Sequence, residues 1–188
     1  MAEIAGKWVS FYGPAFPSRA EAEAFVERCE AAPTTSPAKV MMHQVQRLVS
    51  LGDELAEISR RDPLQVLFLV ICAECVAKLE AGFKGEGKSK PYVRKFFSAF
   101  LSPTDGNLLS NAFTRLPALE SLTVEEAVDL LYDIRCDVVH EGQYWEFFFH
   151  DGDCTMFNPT YKVCAHVTIG QLRNLVVRTA VRAIEARL

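Results

Sequence analysis

Thr123-Val124-Glu125-Glu126-Ala127-Val128-Asp129-Leu130-Leu131-Tyr132-Asp133-Ile134-Arg135-Cys136-Asp137-Val138-Val139-His140-Glu141-Gly142 is the stretch whose reading decides the fold class. Thr123 with Glu126 three residues on is a capping box, in which each side chain satisfies the other residue's backbone N–H at a helix start. Val124, Val128, Leu131, Ile134 and Val138 then recur at helical spacing and turn one stripe toward a core. Gly142 suits the left-handed position that closes a helix. The segments on either side supply the helices that cover that stripe.

Upstream, Leu108 to Leu116 reads as a short helix, and Tyr92 to Leu101 as an aromatic-rich one entered from the loop Lys84-Gly85-Glu86-Gly87-Lys88-Ser89-Lys90-Pro91. Before that loop, Asp62-Pro63 stops one helix and starts the next: Asp62 caps, Pro63 takes the first helical position, and a buried helix runs to about Phe83. Lys39 to Arg61 carries an apolar stripe of Val45, Leu48, Val49, Leu55 and Ile58. Ser18 caps a helix over Arg19 to Ala31, and Lys7 to Tyr12 reads as a strand-like piece broken by Gly13-Pro14 and Pro17. Downstream, Tyr144 to Phe149 and Cys154 to Phe157 are expected to form a β-hairpin around Asp151-Gly152. Asn158-Pro159 breaks it, Tyr161 to Val167 is a candidate third strand, and Thr168 caps a last helix through Leu188. The expectation is a mainly α fold: one domain over residues 1–188, a helical bundle of about six helices with a small β-hairpin inserted before the C-terminal helix.

The composition fits such a domain. Of 188 residues, 49% are hydrophobic and 23% charged, the balance of a chain that buries a core without staples. The N-terminus has no basic start followed by an apolar run, and Val66 to Ala73 is too short to span a bilayer, so a cytoplasmic protein with no membrane role is expected. Six cysteines then read as reduced thiols, and Cys72-x-x-Cys75, inside an apolar helical run, as core packing. The net charge of −4 argues against a broad basic surface that coats nucleic acid. It leaves room for a local phosphate site, because salt confines charge effects to roughly 10 Å.

Arg135 and His140 are the one pair whose chemistry is specific. Positions five apart lie about 140° around a helix and about 7.5 Å along it, so both side chains flank one edge. An arginine beside a histidine disfavours imidazolium and keeps neutral imidazole available as a base near neutral pH. The same guanidinium can hold a phosphate oxygen pair by two parallel hydrogen bonds. A base and a phosphate clamp suffice for RNA cleavage by the RNA's own 2′-hydroxyl, a reaction that requires no metal. The alternative is structural: His140 near a helix C-terminus offsets the last carbonyls, and Arg135 pairs with Asp133, Asp137 or Glu141.

An Arg-x4-His motif at the end of the penultimate bundle helix, with Tyr132 and Ile134 before it and Glu141-Gly142 after it, resembles the signature of the HEPN superfamily. The segment from Lys88 to Leu101, with Pro91, Arg94, Lys95, Phe96 and Phe97, is similar to the matching region of uncharacterised bacterial HEPN-like proteins. Together the two segments cover about a quarter of the chain; residues 1–60 carry no recognisable signature. The resemblance implies an α-helical bundle and a two-fold homodimer whose Arg-His pairs face one RNA-binding cleft. It further implies that Arg135 binds the phosphate and His140 acts as general base or acid of a metal-independent endoribonuclease, in a toxin–antitoxin or antiviral setting, with no cofactor. An antitoxin or other partner protein belongs to the same expectation. Many active members place a polar residue, often asparagine, directly after the arginine. Here Cys136 stands there, a poor hydrogen-bonding substitute, which keeps open a non-catalytic HEPN-like dimer that binds RNA or protein. A helical regulator with an apolar ligand pocket is a third option.

Lys84, Lys88, Lys90, Arg94 and Lys95 against Glu86 form a local basic cluster interleaved with Tyr92, Phe96 and Phe97. As an RNA-binding candidate, Lys88, Lys90, Arg94 and Lys95 would guide the backbone while a ring stacks a base; otherwise this is a solvated loop feeding a helix whose aromatics are core. His150-Asp151-Gly152-Asp153 is a turn before it is a metal site, since hard cations need more oxygen ligands. His43 and His166 stand alone and are expected to be structural. There is no Gly-rich phosphate loop, no H-E-x-x-H and no G-x-S-x-G.

Overall fold

The computed structural model describes residues 2–58, 61–83, 85, 87–150 and 155–188. Eight α-helices fall among the described residues: α1 (Ala2–Tyr12), α2 (Arg19–Ala31), α3 (Pro37–Glu54), α4 (Asp62–Glu80), α5 (Ser89–Phe100), α6 (Pro103–Ser110), α7 (Val124–Cys136) and α8 (Ile169–Glu185). Four short strands, β1 (Phe113–Arg115), β2 (Glu120–Ser121), β3 (Met156–Asn158) and β4 (Val163–Ala165), form one antiparallel sheet in the order β2-β1-β4-β3. The protein is therefore mainly helical, as expected, but with eight helices among the described residues instead of about six, and with a four-stranded sheet, two of whose strands precede α7, in place of a lone hairpin.

α4 is the axis of the bundle. Its residues are apolar nearly all round, and Val66, Leu69, Val70, Cys72, Ala73, Val76 and Ala77 are buried, the pattern of a helix enclosed by others. α3, α5, α7 and α8 pack around it. α7 contributes Ala127, Val128, Leu130, Leu131 and Ile134, each large aliphatic side chain worth about 1.5–3 kcal/mol of burial. α8 is held at its start by a second capping box, Thr168 with Gln171.

Three further expectations are corrected. Lys7 to Tyr12 is the second half of a helix, not a strand, because Trp8, Val9, Phe11 and Tyr12 fall at the i, i+1, i+3, i+4 spacing of one helical face. Tyr12 is buried and its hydroxyl donates to the Met42 carbonyl oxygen at 2.6 Å. The helix expected over Leu108 to Leu116 lies earlier, over α6, because Ser102 accepts the Asp105 N–H and Pro103 sets the first turn. Phe113 to Arg115 is instead strand β1.

The hairpin also differs. Tyr144 to Phe149 joins no ladder; side chains take its backbone groups, Asn158 Oδ1 accepting from Phe148 N–H at 2.7 Å and Asp62 Oδ2 from Phe149 N–H at 2.9 Å. The hairpin runs from β3 to β4 across Pro159–Lys162, with Phe157 opposite Cys164. Asp151, Gly152, Asp153 and Cys154, the expected turn and strand start, lie outside the described residues, as do Lys84 and Glu86. Phe147 and Phe149 anchor this segment by packing on the buried ring of Phe113. No helix among the described residues is long and apolar enough to cross a membrane.

Candidate functional site

The site is the C-terminal end of α7. Thr123 Oγ1 accepts the Glu126 N–H at 3.2 Å and Glu126 Oε2 accepts the Thr123 N–H at 2.9 Å, which fixes where the helix starts and so the phase of every later residue. Regular α geometry stops at Cys136. Asp137–Glu141 form a π turn, closed by the Gly142 N–H donating to the Asp137 carbonyl and by Gly142 in the left-handed conformation (φ 66°, ψ 18°). π turns are rare and concentrate at functional sites. A wider turn also brings residues five apart, Arg135 and His140 here, nearer to one line than the about 140° of an α-helix. Gln143 N–H adds a bond to the same Asp137 carbonyl at 3.1 Å, and the Tyr161 hydroxyl donates to the Asp137 carboxylate at 2.5 Å. Burial first, then this carboxylate, push the Tyr161 phenol well above its ordinary range, so it remains a donor.

Arg135 is half-buried in the last α turn. Its guanidinium carbon stands 5.7 Å from the Tyr132 ring centre and Nη1 lies 4.0 Å from Cys136 Sγ. Nε is fully buried with no hydrogen-bond partner, and Arg135 forms no ion pair among the described residues. The carboxylates that a structural role would give it are engaged elsewhere or apart: Asp133 faces Lys90 at 3.7 Å, and Asp137 takes Tyr161. Lys90 Nζ also stands 5.6 Å from the Tyr132 ring centre, so two cations share one aromatic ring. Burial chiefly, and then Cys136, raise the Tyr132 phenol.

His140 sits on the π turn, exposed, with no hydrogen bond or ion pair to it among the described residues. The structure thus puts Arg135 and His140 on one helix end, one inside its flank and one at its tip, without a hydrogen bond joining them.

The basic candidates of α5 are arranged differently from a free cluster. Lys90 reaches Asp129 at 3.1 Å; Arg94 pairs with Asp129 and with Glu125 at 2.8 Å; Lys95 meets Glu80 at 2.9 Å. Lys88 is exposed at the cap of α5, in the left-handed conformation (φ 57°). Phe96 and Phe97 are core residues. Most of this charge is therefore neutralised by the acidic face of α7 and by α4. An open groove of about 550 Å³ between α5 and the first turns of α7, lined by Pro91, Phe97, Val124 and Val128, lies at the far end of α7 from Arg135.

The remaining candidates are built into the scaffold. His43 meets Glu30 at 3.0 Å and packs on Trp8 with ring centres 4.8 Å apart. His166 bridges Thr114 at 2.9 Å and Thr155 at 3.3 Å. Burial raises the thiols of Cys72 and Cys75, which places the pair in the α4 core in a non-nucleophilic form. No group of three or more His, Cys, Asp or Glu among the described residues is arranged to hold a metal ion.

Sequence reasoning missed Tyr161, whose contact with Asp137 spans 24 residues and leaves no local signal. It also read Tyr144-Trp145 as strand residues; both rings are exposed, next to the π turn. No protein-family model matches the chain, and neither a curated protein nor a solved structure is significantly similar to it.

Proposed function

We propose that the chain is a HEPN-type domain that cleaves RNA without a metal ion at the end of α7. The observation that carries this is Arg135: a half-buried guanidinium that, among the described residues, has no carboxylate partner and an unsatisfied buried Nε, one π turn from an exposed histidine. A buried donor without a partner costs about 1–3 kcal/mol, so the fold gains nothing from leaving it so. A phosphate supplies the missing acceptors in a geometry that suits the fork. The resemblance of Arg135-x4-His140 to the superfamily motif points to the same residues.

In this reaction neutral His140 takes the proton of a ribose 2′-hydroxyl. The 2′-oxygen attacks the adjacent phosphorus and the bond to the 5′-oxygen breaks, leaving a 2′,3′-cyclic phosphate and a 5′-hydroxyl. Arg135 balances the charge that develops on the phosphoryl oxygens. The leaving oxygen takes a proton from water or from the imidazole of a second copy, which is the use of the two-fold dimer the family resemblance implies.

A second reading is a non-catalytic HEPN-like dimer that serves as an RNA or protein interaction module. Cys136 favours it: the neighbour of Arg135 is a thiol 4.0 Å from Nη1 rather than an amide, and nothing among the described residues orients His140 as a third group would. Incubation of several RNAs with the protein in EDTA, beside His140→Ala, separates the two. Catalysis predicts cleavage that falls by about 10²-fold or more in the variant. Cleavage that survives the substitution overturns the role of His140, and binding without cleavage of any RNA leaves the interaction module.

A further inference from the structure

We propose that Tyr161, acting through Asp137, is a positioning residue for His140: its hydroxyl pins the π turn at the end of α7 to the small sheet and so fixes where the imidazole stands. The inference rests on the cleavage reading above for the use of that placement. It adds to the Arg135–His140 pair a residue that lies 24 positions beyond Asp137 in the chain.

Asp137 is the hub of the turn. Its carbonyl oxygen accepts the Gly142 N–H, which closes the turn, and the Gln143 N–H at 3.1 Å. Its carboxylate accepts the Tyr161 hydroxyl at 2.5 Å. The first two bonds set the width of the turn, and the third joins it to another element. A π turn is rarer than the α-helix it continues, and none of Asp137, Val138, Val139, His140 and Glu141 is a glycine or proline that would impose it. The width is held from outside those five residues.

Tyr161 delivers its hydroxyl from a rigid frame. It stands in the turn between β3 and β4, where the Lys162 N–H donates to the Pro159 carbonyl at 3.2 Å and the Lys162 carbonyl accepts the Leu116 N–H at 2.9 Å. Its ring meets Phe147 edge to face, with centres 5.4 Å apart, and Phe147 is itself buried on Phe113. The neighbouring Thr160 hydroxyl donates to Glu146 at 3.0 Å. The phenol therefore does not follow the helix end; the helix end is held to the phenol. A hydroxyl on a carboxylate is also among the stronger hydrogen bonds, about twice a neutral one.

His140 has no hydrogen bond or ion pair of its own among the described residues. A base is usually oriented by a third group bonded to its ring. Here the backbone that carries the ring is oriented instead, since His140 lies three residues after Asp137 in the same turn. A turn released to α geometry would pass the Asp137 carbonyl from the Gly142 N–H to that of Glu141. His140 would then rotate toward the about 140° separation from Arg135 that an α-helix imposes.

Three variants of the full chain test this. Tyr161→Phe keeps the ring on Phe147 and removes the hydroxyl, Asp137→Ala removes the acceptor, and Asp137→Asn keeps an oxygen that accepts. Gly142 and Gln143 amides are expected to exchange about tenfold or more faster in Tyr161→Phe and in Asp137→Ala. The double variant should be no faster than either single one, and Asp137→Asn close to the unaltered protein, while Leu131 and Ile134 keep their rates throughout. The His140 imidazole resonances should move in Tyr161→Phe and those of His43 and His166 should not. In EDTA, Tyr161→Phe is expected to cleave RNA with kcat lower by about tenfold or more and KM unchanged, and Asp137→Asn to retain most of the rate.

Unaltered exchange at Gly142 and Gln143 in Tyr161→Phe overturns the proposal. Exchange that rises equally along all of α7 also overturns it, because the bond then serves general stability. An unmoved His140 resonance beside a loosened turn does the same. Cleavage by the unaltered protein with kcat unchanged in Tyr161→Phe removes the positioning role and keeps the nuclease. If the unaltered protein cleaves no RNA, the nuclease reading falls, and exchange and the imidazole resonances still decide whether Tyr161 places His140.

Discussion

On α8, Arg178 and Arg182 converge from successive turns on Asp105, a carboxylate buried in α6 that also accepts the Ser102 hydroxyl at 2.8 Å. On α7, among the described residues, Arg135 meets no carboxylate and its Nε is buried without a partner, and the histidine that follows stands in solvent. Both ends are built from the same side-chain chemistry on amphipathic helices. One is closed by the protein and ties α6 to α8; the other is left open. A fold that supplies carboxylates to Arg94, Arg115, Arg173, Arg178, Arg182 and Arg187 and, among the described residues, none to the half-buried Arg135 distinguishes the groups that hold it together from one held for something else.

Substitutions should separate the two ends by what they disturb. Asp105→Ala is expected to destabilise the protein most, by about 2–3 kcal/mol in urea unfolding. That is less than the about 3–5 kcal/mol of a fully buried pair, because both arginines are partly exposed and rehydrate. The same carboxylate sets a pH dependence. Burial alone would raise it, but hydrogen bonds from Arg178 and Ser102, then Arg182, outweigh burial and hold it below its ordinary value. Its contribution is therefore complete above the unfolded-state pKa of about 3.9 and is lost as pH falls through the lower native value. Asp105→Asn should flatten that acid limb between neutral pH and pH about 3, measured by urea midpoints; an unchanged limb would remove Asp105 from the acid response.

Thr168→Ala, which deletes the acceptor for the Gln171 N–H at the start of α8, should cost about 1 kcal/mol. Arg135→Met should change stability by no more than about 1 kcal/mol in either direction. The lost cation–π contact with Tyr132, about 0.5–1 kcal/mol, is offset by removal of an unsatisfied buried donor. A loss of several kcal/mol on thermal or urea unfolding would make Arg135 a structural residue like Arg178.

What could be read locally was read. The capping box at Thr123, the stripe from Val128 to Ile134 and the glycine that ends the π turn are short-range patterns, and α7 stands where they put it. The misreadings are where a contact far along the chain decided. Lys7 to Tyr12 has strand-forming residues, but its neighbours are the helices that take Trp8 and Tyr12, and β propensity yields to such surroundings. Tyr144 to Phe149 alternates like a strand, yet Asn158 and Asp62 supply its backbone partners. The site was legible as a motif and not as an environment. Spacing placed Arg135 and His140 on one helix end, whereas the ion pairs that neutralise Lys90, Arg94 and Lys95 join α5 to α7 and α4 across separations no local pattern records.

The most direct test is the rate of RNA cleavage in EDTA by Arg135→Met beside the unaltered protein and Arg173→Met, whose arginine is closed by Asp53. An open guanidinium that holds the scissile phosphate predicts a rate lower by about 10²-fold or more in Arg135→Met, with cleavage by Arg173→Met near that of the unaltered protein. Equal rates in all three would contradict it and remove Arg135 from any role in cleavage.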